Sequence, residues 1–231
     1  MDKEKPTTNT VNSVTLNGTV ETVPQFSHDK YGERFFEFCL RVPRLSEQSD
    51  VLPITVSERL MDGHDMSIGA PLALEGQFRS YNKIEERRSK LMLTVFVREI
   101  FGADARKQLS SPNFVTLTGY ICKPPIYRVT PLDREICDVL VAVNRAYNKS
   151  DYIPCIAWGR YARQIRDLKV GSKLLLSGRI QSREYTKKIS DTEVITKIAY
   201  EVSISQVSPI VDTVSGESVT ADDVAATDDR G

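Results

Sequence analysis

A stretch near the start of the chain returns in the middle. Residues 12–18, Asn-Ser-Val-Thr-Leu-Asn-Gly, reappear as residues 113–119, Asn-Phe-Val-Thr-Leu-Thr-Gly, 101 positions later. At the same spacing Arg44 meets Arg145, and Val51-Leu52-Pro53-Ile54 meets Tyr152-Ile153-Pro154-Cys155. After a one-residue insertion Gly69 meets Gly171, and Leu72-Ala73-Leu74-Glu75-Gly76 meets Leu174-Leu175-Leu176-Ser177-Gly178. Solenoid repeats are roughly 20–50 residues long, so a period this large is a duplicated domain. A chain of 231 residues accommodates two such units and little else.

Each copy reads as strands. Val115 and Leu117 alternate with Thr116 and Thr118, and Ile136 to Asn144 is a β-branched run whose single charge is Asp138. Tyr152 to Trp158, Leu174 to Ser182 and Glu193 to Val207 complete the set, the last two joined by the polar stretch Arg183–Asp191. One short helix is expected over Arg160–Leu168, where Tyr161, Ile165 and Leu168 share a face, with Gly171 as its stop. Five strands with one short helix between the third and fourth form an OB-fold, a Greek-key barrel that commonly serves as a binding module. The expected fold is therefore all-β: two tandem five-stranded OB-fold barrels, each with one short helix, and a disordered acidic tail. The divisions fall at 1–10 (disordered), 11–103 (first barrel), 104–112 (linker), 113–210 (second barrel) and 211–231 (tail). In the tail Ser, Thr, Ala and Asp dominate and aromatics are missing.

The formal charge is zero, with 31 basic and 31 acidic residues, but the distribution is uneven. Residues 113–210 hold 15 Lys and Arg against 9 Asp and Glu, residues 11–112 hold 13 against 14, and residues 211–231 hold 1 against 6. A basic second unit with an acidic tail is what a polyanion-binding protein would carry. The four cysteines (Cys39, Cys122, Cys137, Cys155) lie in apolar runs and form no C-x-x-C pair. Together with His28 and His64 they give no metal-ligand spacing, so buried reduced thiols are expected, with no metal and no cofactor. No phosphate-binding glycine loop, H-E-x-x-H or nucleophile elbow occurs, so no enzymatic activity is expected. No run of about 18 apolar residues or secretory signal is present, and a cytoplasmic, membrane-free location follows as an expectation.

The second copy resembles the bacterial single-stranded-DNA-binding protein family along its length. The matching pieces are NFVTLTGYICKPP at 113–125, VLVAVNRAY at 139–147, SDYIPCIAWGR at 150–160, VGSKLLLSGRIQSREY at 170–185 and EVSIS at 201–205. The resemblance implies a nucleoid-associated bacterial protein. It implies binding to single-stranded DNA largely without sequence preference, through base stacking on aromatics and phosphate contacts from Lys and Arg. Such binding would protect the strand during replication, recombination or repair. The implied contacts are Tyr147, Tyr152, Trp158 and Tyr185 for bases, with Arg145, Arg160, Arg179, Arg183, Lys187 and Lys188 for phosphates. Alternation puts Trp158 on the face of Tyr152, Pro154 and Ile156, opposite Ile153, Cys155 and Ala157; both faces are largely apolar, so periodicity leaves its side open.

The first copy departs from this pattern: Val51 stands at the position of Tyr152, and Ser57 at that of Trp158. Arg44, Arg79, Tyr81, Arg87 and Arg88 are its remaining candidate contacts. The resemblance further implies a homodimer that brings four barrels together, and replication or repair proteins as partners. The family's hydrophobic tail tip has no counterpart here, since the chain stops at Arg230-Gly231. The rival function is a replication-restart or helicase-loading accessory whose barrels serve mainly protein contact.

Overall fold

The computed structural model describes residues 11–85, 88–102, 111–188 and 194–210, excluding the side chains of 84, 85, 88, 187 and 188. The sequence-expected N-terminal segment, tail and most of the linker lie outside these residues. The first half contains β1 (Asn12–Val20), β2 (Gln25–Lys30), β3 (Glu33–Pro43), β4 (Ser49–Ser57), α1 (Glu58–Met61), β5 (Pro71–Glu85) and β6 (Arg88–Phe101). The second contains β7 (Asn113–Ile121), β8 (Ile126–Val129), β9 (Glu135–Arg145), β10 (Lys149–Trp158), α2 (Arg160–Arg166), β11 (Lys173–Lys188) and β12 (Val194–Ile210).

Alternating residues turn inward on every barrel strand. Val14 and Leu16 of β1, Leu40 of β3, Leu52 and Ile54 of β4 and Leu74 and Phe78 of β5 are buried together. Their repeat-related partners Val115, Leu117, Val141, Ile153, Cys155, Leu176 and Ile180 do the same in the second half. Each ring of five strands closes through a parallel pair, Ile54 beside Val95 in one and Cys155 beside Val202 in the other. The tandem OB-fold arrangement expected from the repeat is what the chain adopts. The short strands β2 and β8 are added to this plan, each pairing, among the described residues, with the strand that follows it.

Gly76 and Gly178, which close one of the repeated segments, sit where backbones cross. A Cβ on Gly76 would collide with the Phe96 carbonyl oxygen, and one on Gly178 with that of Ser203. Both fall at a shift in register between paired strands, where a bulge lets the long strand bend into the barrel.

Two expectations need adjusting. The helix α2 ends at Arg166, and Gly171 occupies a left-handed turn beyond it (φ +92°). The polar stretch 183–191 is not simply a connector: residues 183–188 extend β11 and pair with 194–199 of β12. Its charges gave no period-two signal because residues 183–186 are all exposed, and the backbone ladder pairs the two strands there.

The two barrels share a seam. Strands β1 and β7 pair antiparallel, with Val14 opposite Val115, Asn12 opposite Leu117 and Leu16 opposite Asn113. Val14 and Val115 are equivalent positions of the repeat, so a local two-fold axis passes through that pair. Among the described residues, twelve strands thereby form one continuous sheet.

Candidate nucleic-acid interface

The outer face of β10 resolves the question that alternation left open. Trp158 is 38% exposed and Tyr152 45%, on the face opposite the buried Ile153, Cys155 and Ala157. Ile156 shares their face and is nonetheless buried, which is why the pattern was ambiguous. Trp158 lines a cleft of about 760 Å³ with Gln181, Arg183 and Ile198 of the second barrel and Arg41, Arg44, Gln48 and Val51 of the first. Arg183 lies 6.0 Å from the ring centre of Tyr185 and 3.7 Å from Glu201.

Arg44 and Arg179 converge on Asp50, whose side chain is buried. Arg44 donates from Nε (2.8 Å) and Nη2 (2.6 Å), and Arg179 from Nη1 (3.1 Å). The Ser182 backbone N–H, on the other barrel, donates to the same carboxylate at 2.7 Å. Asp50 holds the Arg44 guanidinium above its usual pKa, whereas burial lowers that of Arg179.

The two-fold counterpart is built differently. Asp151, also fully buried, accepts from the backbone N–H of Ser80 in the first barrel at 2.7 Å, and the Tyr152 N–H donates to Ser80 Oγ at 2.7 Å. Among the described residues its Oδ2 has no hydrogen-bond partner, and Arg145 Nε stands 3.3 Å away in an ion pair. Burial raises the Asp151 pKa, despite Arg145 and Arg79 nearby. The difference traces to an exchange in sequence. Asn12 brackets Phe78 with hydrogen bonds to its backbone, and Asn113 brackets Ile180 likewise, so these positions correspond. Around them Gln77-Phe78-Arg79 faces Arg179-Ile180-Gln181, with Arg and Gln swapped.

Arg79 instead lies over the Phe96 ring, 3.8 Å from its centre, and burial beside Arg98 and Arg145 lowers its pKa to about 10. It joins a first-barrel cleft of about 650 Å³ lined by Phe26, His28, Phe35, Tyr81, Phe96, Lys30 and Lys83, with Arg145 from the second barrel. His28 stacks on Phe35 at 5.0 Å with 12° between the rings, and Phe35 meets Phe96 at 5.6 Å. Sequence comparison missed this platform. The positions equivalent to Tyr152 and Trp158 hold Val51 and Ser57, whereas the first barrel carries its aromatics on β2, β3 and β6. The outward Phe26 and His28 of β2 were the signal available.

Tyr147, 94% exposed in a left-handed turn (φ +61°), lies apart from the Trp158 cleft. It lines a cleft of about 500 Å³ with Arg79, Arg98 and Arg145. Arg160 packs on Tyr161 and donates to its hydroxyl at 2.7 Å. Lys187 and Lys188 end β11, and Arg88 begins β6, but their side chains lie outside the described residues, as does Arg87 entirely. Cys137 and Cys155 are buried, Cys39 and Cys122 partly so, and all are free thiols; burial pushes that of Cys137 up to about 11. Among the described residues no group of three or more His, Cys, Asp or Glu is placed to hold a metal ion. Also among them, no helix is long and apolar enough to cross a membrane.

Fold and interface together define a double OB-fold protein whose clefts combine aromatic rings with cations. Residues 112–208 match the profile of the single-strand binding protein family. Single-stranded DNA-binding protein 3 of Clostridium acetobutylicum is 32% identical over 96 residues, spanning 38% of this chain and 67% of the relative. Single-stranded DNA-binding protein A of Bacillus subtilis is 31% identical over 96 residues, 38% of this chain and 56% of the relative. The chain belongs to the single-strand binding protein family. It spans 56–60% of the length of the first curated relatives it matches. The wild-type single-stranded DNA binding protein from Thermus aquaticus shares the fold, with a TM-score of 0.67 and 18% identity over 90% of this chain and 97% of that one.

Proposed function

We propose that the protein binds single-stranded DNA largely without sequence preference, stacking bases on exposed rings and pairing phosphates with Arg and Lys. The observation that carries this is the cleft in which a partly exposed Trp158 is ringed by Arg41, Arg44 and Arg183. Stacking contributes about 1–3 kcal/mol per base and tolerates all four bases, while the cations follow the backbone. Such a protein acts by covering the strand in replication, recombination or repair in the bacterial cytoplasm, and it has no catalytic step to perform.

The first barrel takes part as well. Its exposed His28, backed by the buried Phe35, and its exposed Tyr81, with Arg79 and Lys83, offer the same two contacts on different strands. Self-association into a dimer of four barrels is supported by the outer face of β1, β7 and β11. There Ser13, Thr15, Thr116 and Ser177 are cross-strand neighbours without charge, flanked by the exposed Phe114 and Leu175.

Titration with a dT oligomer tests this reading. Binding should be tight and weakened by salt, Trp158 emission should be quenched, and duplex DNA should bind far more weakly. Equal affinity for duplex would overturn it in favour of a protein-contact role.

A further inference from the structure

The cleft around Trp158 takes one wall from each barrel. The first-barrel wall is the turn between β3 and β4, a segment that the repeat assigns to the other half of the molecule. Arg44 of this turn bonds its own backbone neighbour, Gln48, from N–H to carbonyl at 2.9 Å, and its guanidinium donates to the Ser182 carbonyl of β11 at 3.2 Å. Asp50, at the turn's far end, accepts from the Ser182 N–H and from Arg179. The turn is therefore fastened to β11 at both of its ends. Arg41, three residues earlier on β3, lines the same cleft and is ion-paired with the half-buried Glu21.

We infer that the second barrel's strand-binding cleft is completed by the first: Arg41 and Arg44 are phosphate contacts for a strand stacked on Trp158, and Asp50 is the positioning residue that docks their turn against β11. This rests on the binding function proposed above and adds a division of labour that sequence does not suggest. The first barrel serves the second barrel's site directly, as well as carrying its own platform. The arrangement follows from charge and reach. Across the cleft Trp158 offers a flat ring and Arg183 one cation, and a strand lying on that ring places phosphates on both sides of each base. The second barrel supplies the cation on one side; Arg41 and Arg44 supply it on the other. A guanidinium held by a buried carboxylate is also already ordered, so less side-chain entropy is lost when a phosphate arrives.

The test uses the full-length chain and a dT oligomer, with Trp158 emission as the local reporter. Arg41→Gln touches no buried group and should weaken binding three- to tenfold. It should also flatten the dependence of log affinity on log salt by about 0.7, the value of one lost phosphate contact to a single strand. Arg44→Gln should do the same, with Arg44→Lys restoring most of the salt slope. Should Arg44→Gln lose its fold through exposure of Asp50, as melting would show, Arg41→Gln still decides. Wild-type affinity and slope in Arg41→Gln, with Trp158 still quenched, would overturn the inference while leaving the proposed function intact. A wild-type chain that neither prefers dT over duplex nor shows quenching would instead overturn the function itself.

Discussion

Asp50 and Asp151 occupy one position of the repeat, are equally buried, and differ in what surrounds them. Asp50 accepts from two arginines and from Ser182, while Asp151 keeps one oxygen without a hydrogen bond. Opposite effects of the same substitution follow. Asp50→Asn removes a carboxylate that two guanidinium groups depend on and should lower stability by about 2 kcal/mol. Asp151→Asn removes a buried charge that burial already disfavours and should leave the protein as stable as wild type, or more so, at neutral pH. Because the Asp151 pKa is raised in the folded state, its stabilising contribution is fully present only below the ordinary carboxylate pKa and is lost as pH rises through the folded value. Any advantage of Asp151→Asn should therefore fade as pH falls into the carboxylate range. Chemical denaturation of both variants between neutral and mildly acid pH checks this, and a pH-independent difference for Asp151→Asn would refute it. None of this was legible in the sequence. Lone aspartates in strands read as solvent-facing, and the cross-barrel partners that bury them, Ser182 for Asp50 and Ser80 for Asp151, lie 132 and 71 positions away.

At the scale of strands and turns the sequence said much more. Alternation located the barrel strands, and the repeated pair Gly76 and Gly178 marked places that turn out to be backbone crossings. Gly178→Ala tests that correspondence: its methyl group would meet the Ser203 carbonyl of β12, so a loss of roughly 1–3 kcal/mol is expected from overpacking. Thermal unfolding measures it, and an unchanged midpoint would mean the crossing can relax. The arm of β11 was underestimated because residues 183–186, exposed on both faces, lack an apolar period. Trp158 was ambiguous for the opposite reason, since both faces of β10 carry apolar residues. The first-barrel platform escaped because its rings come from three strands whose proximity only the closed barrel creates.

On the scale of the whole molecule, the two barrels behave as one body. The β1–β7 pairing and the crosswise aspartate contacts at Asp50 and Asp151 join them, so separated halves would each lose a sheet neighbour and a carboxylate partner. The outer face of that joined sheet is the proposed site of self-association. Replacing Phe114 with Glu places a charge among Thr15, Thr116 and the neighbouring uncharged residues without entering either barrel. Light scattering should then report a change from twice the chain mass to once, with the fold retained by circular dichroism. A wild-type chain that is already monomeric would exclude the dimer, and an unchanged dimer in the variant would move its interface elsewhere.

The axis through Val14 and Val115 also bears on how such a molecule can change over generations. Where two identical chains meet across such a seam, every mutation is imposed on both sides at once, and a residue that improves one side must be tolerated on the other. With both sides encoded in a single chain, each accepts its own mutations. The difference between Gln77-Phe78-Arg79 and Arg179-Ile180-Gln181 is of that kind: one side has a second cation for its aspartate, while the other holds its arginine over a ring. Covalent linkage thus gives selection two independently adjustable sites within an inherited symmetric frame.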